Sequence, residues 1–281
     1  MVAARKEWHD MTNMTGLSIQ ALSVSFANRT VLNSLSLDVP SGEFLVILGP
    51  SGCGKSTLLR VLAGLTKAST GSVNLDGTPI TRPGADRVMA FQEDSLLPWR
   101  TVRRNVELAL SLNGVPRQTR GPQVDLMLDE VGLAAFADYR PGQLSGGMRQ
   151  RAQIARTMIL RPRILLMDEP FGALDATTRA SAQRLLLRVW RDQQCTIVFV
   201  THDVDEALGL GDRLVVLSAC PTEIRCLISV PHCLKVDYPA LEDSNNPSAA
   251  DTDDVRRELR AFVFAQLASS SDQESRQEEE S

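Results

Sequence analysis

Residues Phe44–Leu59 read FLVILGPSGCGKSTLL, an apolar run that passes through a glycine-rich turn into a helix-forming stretch. Within it Gly49, Gly54, Lys55 and Ser56 satisfy the spacing G-x-x-x-x-G-K-[ST]. A strand must deliver the chain to this turn and a helix must carry it away. The backbone of Gly49, Pro50, Ser51, Gly52, Cys53 and Gly54 must curl so that its N–H groups surround an anion at the helix N-terminus. Lys55 then reaches the outer phosphates, and Ser56, with Thr57 behind it, presents a hydroxyl that can hold Mg²⁺. A glycine turn with a purely structural role needs neither the lysine nor the hydroxyl. The segment therefore reads as a nucleotide cradle built on a strand–turn–helix unit.

Composition is compatible with one large α/β domain: 281 residues, 43% apolar and 23% charged. A formal net charge of −4 gives no support for a nucleic-acid surface, so no nucleic-acid partner is expected. No apolar run reaches the roughly 18 residues of a membrane span, and MVAARKEWHDMTNMTG lacks the apolar stretch of a signal peptide. Cys53, Cys195, Cys220, Cys226 and Cys233 are odd in number and irregularly spaced. Cys220, Cys226, His232 and Cys233 do not match paired metal-ligand spacing, and the cysteines read as ordinary thiols in a reducing compartment. His9 and His232 read as surface residues.

Along the chain, 1–16 reads as a loose leader. LSIQALSVSF, VLNSLSLDVP and FLVILG read as strands of an antiparallel, half-exposed sheet, and SVNLDGTPI adds another with an Asp76-Gly77 turn. RVMAF, RILLM and TIVFV are continuous and apolar, as in a parallel sheet covered on both faces. Between them TVRRNVELALSLNG and QVDLMLDEVGL carry helical periodicity, which predicts an inserted helical subdomain over about 94–158. The texture turns irregular after Ser218. One helix follows over 249–267, with Val255, Leu259, Phe262 and Val263 expected to pack on the core, and 268–281 reads as a disordered acidic tail.

Two further stretches narrow the chemistry. ILLMDE places Asp168 at the end of a buried strand, where a carboxylate can hold the Mg²⁺ shell. Glu169 follows, placed to orient and deprotonate an attacking water. LSGGM, from Leu144 through Ser145, Gly146 and Gly147 to Met148, opens the helical run MRQRAQIARTMI, so its free N–H groups and hydroxyl form a second anion site. One nucleotide has one triphosphate. The second site is accordingly read as completing the pocket of another copy of the chain.

LSGGM is similar to the signature of the ABC transporter ATPases, and the rest of that family's markers follow in order. Gln92 resembles the glutamine-loop residue, a ligand of Mg²⁺ and the attacking water. Ala173, Leu174 and Asp175 resemble the loop that crosses the dimer interface, His202 the switch histidine, and Phe26 the aromatic that stacks on adenine. The resemblance spans about 17–220 and implies a P-loop NTPase core with a mixed sheet, an antiparallel β subdomain plus a parallel core, and an inserted α-helical subdomain. It implies an ATPase domain over 17–248 that uses ATP and Mg²⁺ and works as a homodimer. The implied partners are two integral membrane permease subunits and an extracytoplasmic solute-binding protein, with the chain peripheral at the cytoplasmic face of the inner membrane. Met148 and the FQEDSLLPWRTVRRNV stretch look most like the nitrate, aliphatic sulfonate and taurine importers. The resemblance also makes the exposed-looking Leu97-Pro98-Trp99 turn a permease contact. A soluble ATPase switch of the same family is the alternative; a P-loop kinase has no use for LSGGM or His202.

Overall fold

The computed structural model describes residues 16–27, 29–91, 95–235 and 249–279, and side chains within them except at 249–251 and 269–279. Gln92 and His9 lie outside the described residues. Two long strands, β1 (Gly16–Phe26) and β2 (Arg29–Pro40), pair antiparallel. Leu17, Ile19, Leu22 and Val24, and Leu32, Leu35, Leu37 and Val39, are buried; the period-2 alternation holds except for one extra residue in each strand, at the positive-φ Ala21 and Ser34, where the ladder is irregular. On the other side of β1 lies β4 (Thr70–Leu75), which returns as β5 (Thr78–Pro79). Asp76 and Gly77 turn the chain with φ of +49° and +75°, the left-handed pair of a tight hairpin.

The strand β3 (Phe44–Leu48) does not join this sheet, contrary to the alternating antiparallel strand expected there. All five of its residues are buried, because FLVIL has no polar side chain to give to water. It lies between β8 (Thr196–Thr201) and β9 (Arg213–Leu217), parallel to both. With β7 (Ile164–Asp168), β6 (Arg87–Ala90) and the antiparallel edge strand β10 (Ile224–Ser229), the sheet order is β10-β9-β3-β8-β7-β6.

The two faces of this sheet feed two cores. Leu45, Ile47, Leu166, Val198, Val200, Val215 and Leu217 pack with Leu58, Leu59, Val61 and Leu62 of α1 (Lys55–Leu62) and with the antiparallel sheet. Phe44, Val46, Leu48, Leu165, Met167, Ile197, Phe199, Leu214 and Val216 face the remaining helices. Both faces are dry, so the strands can be wholly apolar and their ends can be placed rigidly.

Three helices, α2 (Val102–Leu112), α3 (Arg117–Glu130) and α4 (Gly146–Met158), fill the interval between β6 and β7. α5 (Ala176–Gln193) and α6 (Val204–Leu210) follow the next two crossings. The C-terminal helix α7 (Ala249–Glu279) is longer than the sequence suggests and runs through most of the stretch expected to be a disordered tail. That stretch has no proline or glycine and many good helix formers, and extending an existing helix is far easier than nucleating one. Val255, Leu259 and Val263 pack on the core together with Leu267, but Phe262 is exposed. Positions spaced by four share a face; Phe262 stands about 100° away from Val263.

Candidate nucleotide site

The phosphate loop lies between the end of β3 and the start of α1. Gly54 caps the helix with φ +111°, and a Cβ there would lie 2.7 Å from Val31 Cγ1 of β2. Glycine is thus required both by the conformation and by the approach of the neighbouring strand. Lys55 is buried, and its ammonium donates to the carbonyls of Gly49 at 2.8 Å and Pro50 at 2.7 Å. These bonds curl the loop, and of the three N–H donors of the group one remains beyond them. Cys53 points into the core below. Burial pushes its thiol above the ordinary 9.0, against the opposing pull of Lys55. Ser51, Gly52 and Ser56 are on the open side of the turn, and Phe26 is half exposed at the end of β1.

Beyond β7 and β8 the two strand ends converge. Asp168 closes β7, and Glu169 adopts φ +44°, a left-handed conformation unusual for a side chain of this kind. Its N–H still donates to Val200 O of the neighbouring strand at 3.0 Å. The sharp turn brings Glu169 Oε2 to 3.1 Å from His202 Nδ1, just past β8. An ionised carboxylate can only accept, so Nδ1 carries the proton in this contact. Glu169 is mostly covered while the imidazole is 63% exposed, so the ring is held at one nitrogen and open at the other.

The support beneath is polar and buried. Thr201 donates to Glu206, and Gln183 Nε2 donates to the other oxygen of the same carboxylate at 2.9 Å. Burial raises the pKa of Glu206, partly countered by these two bonds. Asp203 caps α6 by accepting from the N–H groups of Asp205 and Glu206. Arg179 bridges Asp203 at 3.4 Å and Leu174 O at 3.0 Å, tying His202's loop to the segment of Ala173, Leu174 and Asp175.

A second group forms around the start of α4. Ser145 is exposed and caps the helix, its hydroxyl accepting from Met148 N at 3.3 Å. Leu144 is buried and anchors the turn. Asp175 caps α5 in the same manner, accepting from Thr178 N at 3.0 Å, and hydrogen bonding to Thr178 lowers its pKa. The two helix starts touch: a Cβ on Gly147 would fall 2.3 Å from Thr178 Cγ2. Among the described residues, no hydrogen bond or ion pair joins Ser145–Met148 to the phosphate loop, to Glu169 or to His202.

Three supporting residues escaped the sequence reading. Asn105, fully buried in α2, accepts from Leu97 N at 2.7 Å and donates to the carbonyls of Leu97, Arg100 and Thr101, pinning the turn from which Trp99 projects 69% exposed. Gln153 of α4 donates to Phe91 O, and Arg156 to Ser95 O, on either side of Gln92. Their only sequence signal is a polar side chain at an otherwise apolar helical position.

A family described as "ABC transporter" matches residues 32–172. An ABC transporter ATP-binding protein of Methanocaldococcus jannaschii is 50% identical over 71% of this chain and 74% of its own length. A taurine import ATP-binding protein of Yersinia pestis is 46% identical over 74% of this chain and 82% of its own. A nitrate import ATP-binding protein of Synechocystis is 43% identical over 85% and 86%. Among solved structures, a dimeric ATP-binding cassette in a post-hydrolysis state with ADP and phosphate superposes with a TM-score of 0.65 at 29% identity, covering 76% of this chain and 99% of that one.

Proposed function

This chain belongs to the ABC transporter family as one of its ATP-binding, ATP-hydrolysing subunits, and on that premise we propose that it powers uptake of a small solute of the nitrate, taurine or aliphatic sulfonate class. Two copies bind two ATP molecules head to tail. Each nucleotide meets Phe26, the Gly49–Thr57 loop, Gln92, Asp168, Glu169 and His202 of one copy and Leu144–Met148 of the other. Ala173, Leu174 and Asp175 line the joint. The carrying observation is the division of the site: the phosphate loop with the Glu169–His202 pair on one side, and an exposed, capped helix start that none of the described bonds links to them on the other.

Catalysis is mainly positioning and charge stabilisation. Loop N–H groups and Lys55 hold the phosphates and offset their charge. Ser56 and Asp168 offer hard oxygen donors of the kind Mg²⁺ takes, and the donor set fits that ion. Bound there, Mg²⁺ supplies further neutralisation of the phosphate oxygens. Glu169 orients the water and takes its proton. Its contact with His202 Nδ1 leaves the exposed Nε2 of the ring for the γ-phosphate. Loss of the γ-phosphate removes what both copies share, so the dimer opens; this is a two-state element that partners can use.

No helix among the described residues is long and apolar enough to cross a membrane. By analogy with the relatives named as importers, the proposed assembly includes two permease subunits that receive the chain at the cytoplasmic face of the inner membrane, plus an extracytoplasmic solute-binding protein. The Trp99 turn, exposed yet held by Asn105, is the proposed permease contact. The relatives named as importers weigh against a soluble switch.

Glu169→Gln tests the reading. Removing a general base should lower turnover by about 10²–10⁴-fold while MgATP affinity stays within about threefold. Turnover at the normal rate, measured by phosphate release, would contradict the assignment.

A further inference from the structure

The turn after β9 was left without a role by its irregular sequence, yet it touches the phosphate loop. Thr222 is fully buried, and its hydroxyl donates to the carbonyl of Cys53, 169 residues away in the chain. Its oxygen would also lie 3.6 Å from a Cβ on Gly54. Thr222 is itself held on both sides by β2: its N–H donates to Val31 O at 2.8 Å, and its carbonyl accepts from Asn33 N at 2.9 Å. The turn is closed by Ser218, whose hydroxyl accepts from Glu223 N at 2.8 Å, and Glu223 in turn accepts from Asn33 Nδ2 at 2.6 Å. The hydroxyl is therefore presented from a fixed backbone.

The carbonyl of Cys53 and the N–H of Gly54 belong to one peptide plane. In a trans peptide they point in opposite directions. Drawing the carbonyl outward toward Thr222 turns the Gly54 N–H inward, toward the concave side of the loop. We propose that Thr222 is a positioning residue for nucleotide binding: it sets the orientation of the Cys53–Gly54 peptide so that the Gly54 amide is prepaid as a phosphate donor. It touches no substrate and acts through the loop. The same turn ties the loop to β2, whose partner strand β1 carries Phe26 at its end, so the phosphate and adenine ends of the pocket share one brace. The inference rests on the phosphate-loop reading of Gly49–Thr57.

The cradle binds phosphates in the ground state and the transition state alike, so loss of the brace should raise KM more than it lowers kcat. The test compares Thr222→Ser, Thr222→Val and Thr222→Ala in the full chain, with KM and kcat for MgATP, binding of MgADP and thermal melting of the nucleotide-free protein. Val and Ala lack the donor and should raise KM about 5- to 30-fold, with kcat within about threefold. Ser keeps the donor and should stay within about twofold of the parent. The proposal is overturned if either Val or Ala keeps a KM within twofold, if Ser is as impaired as Ala, or if both Val and Ala fail to fold while Ser does, since the hydroxyl would then serve the fold rather than the loop. Lys55→Ala separates the two readings. Its failure to weaken MgATP would sink the phosphate loop itself, whereas a weakened Lys55→Ala beside an unaltered Thr222→Val would sink only the brace.

Discussion

Glu169 bends the backbone left-handed at φ +44°, which costs a side-chain-bearing residue on the order of 1–2 kcal/mol. The bend keeps the N–H paired with Val200 while aiming the carboxylate at His202. A straight strand would send Asp168 and Glu169 to opposite faces; the turn lets both serve one site. Residue types at this end of β7 were legible in the sequence, because a buried apolar run ending in two acids has few other uses. The turn was not, since the partner that justifies it lies 33 residues away. His202→Ala should therefore reduce turnover by about 10²-fold with little change in MgATP affinity, through loss of the γ-phosphate contact and of the group that orients Glu169. Equal loss of affinity and turnover, read from binding isotherms beside steady-state rates, would assign His202 to simple nucleotide binding.

At the scale of elements, α4 and α5 matter most, because their capped N-termini meet at Gly147 and Thr178. The contact leaves no room for a Cβ. Gly147→Ala should push the two helix starts apart and weaken ATP-dependent dimerisation at least tenfold, while the separate phosphate loop binds ATP normally. Thr178→Ser removes the obstructing methyl and should restore dimerisation in the double variant; sedimentation velocity with ATP measures both. No rescue would mean that Gly147 serves another purpose. The helix start at Ser145 was legible, since capping is a local interaction; the cap at Asp175 was read only as part of an interface loop and emerged with α5. Sheet membership was less so. FLVIL was assigned to the wrong sheet because a five-residue apolar strand reveals burial but not which neighbours bury it. The reach of α7 was missed because composition alone made its polar end look unfolded. Asn105 and Thr222 were invisible, as one buried polar residue acquires meaning only from the carbonyls around it.

For the whole molecule, the two-sheet body is, in the proposed function, a frame for two half-sites. β3, β7 and β8 place the phosphate loop, Glu169 and His202; the helical subdomain carries Ser145 and the Trp99 turn. α4 connects these parts, with Ser145 capping its start and Gln153 and Arg156 bonded to the carbonyls of Phe91 and Ser95. The family markers were legible because each occupies a short stretch, and a second anion site beside a single triphosphate already pointed to a pocket shared between two copies; which strands and helices carry each half required the fold. The central claim is that each ATP is enclosed by two copies, and complementation tests it most directly. Glu169→Gln and Ser145→Arg each inactivate a homodimer. In a mixed dimer both defects fall on one pocket and leave the other intact. Phosphate release from an equimolar mixture should rise well above the sum of the separate proteins, toward about a quarter of the parent rate for random pairing in a symmetric dimer. A rate no higher than that sum would mean that each copy builds its pocket alone.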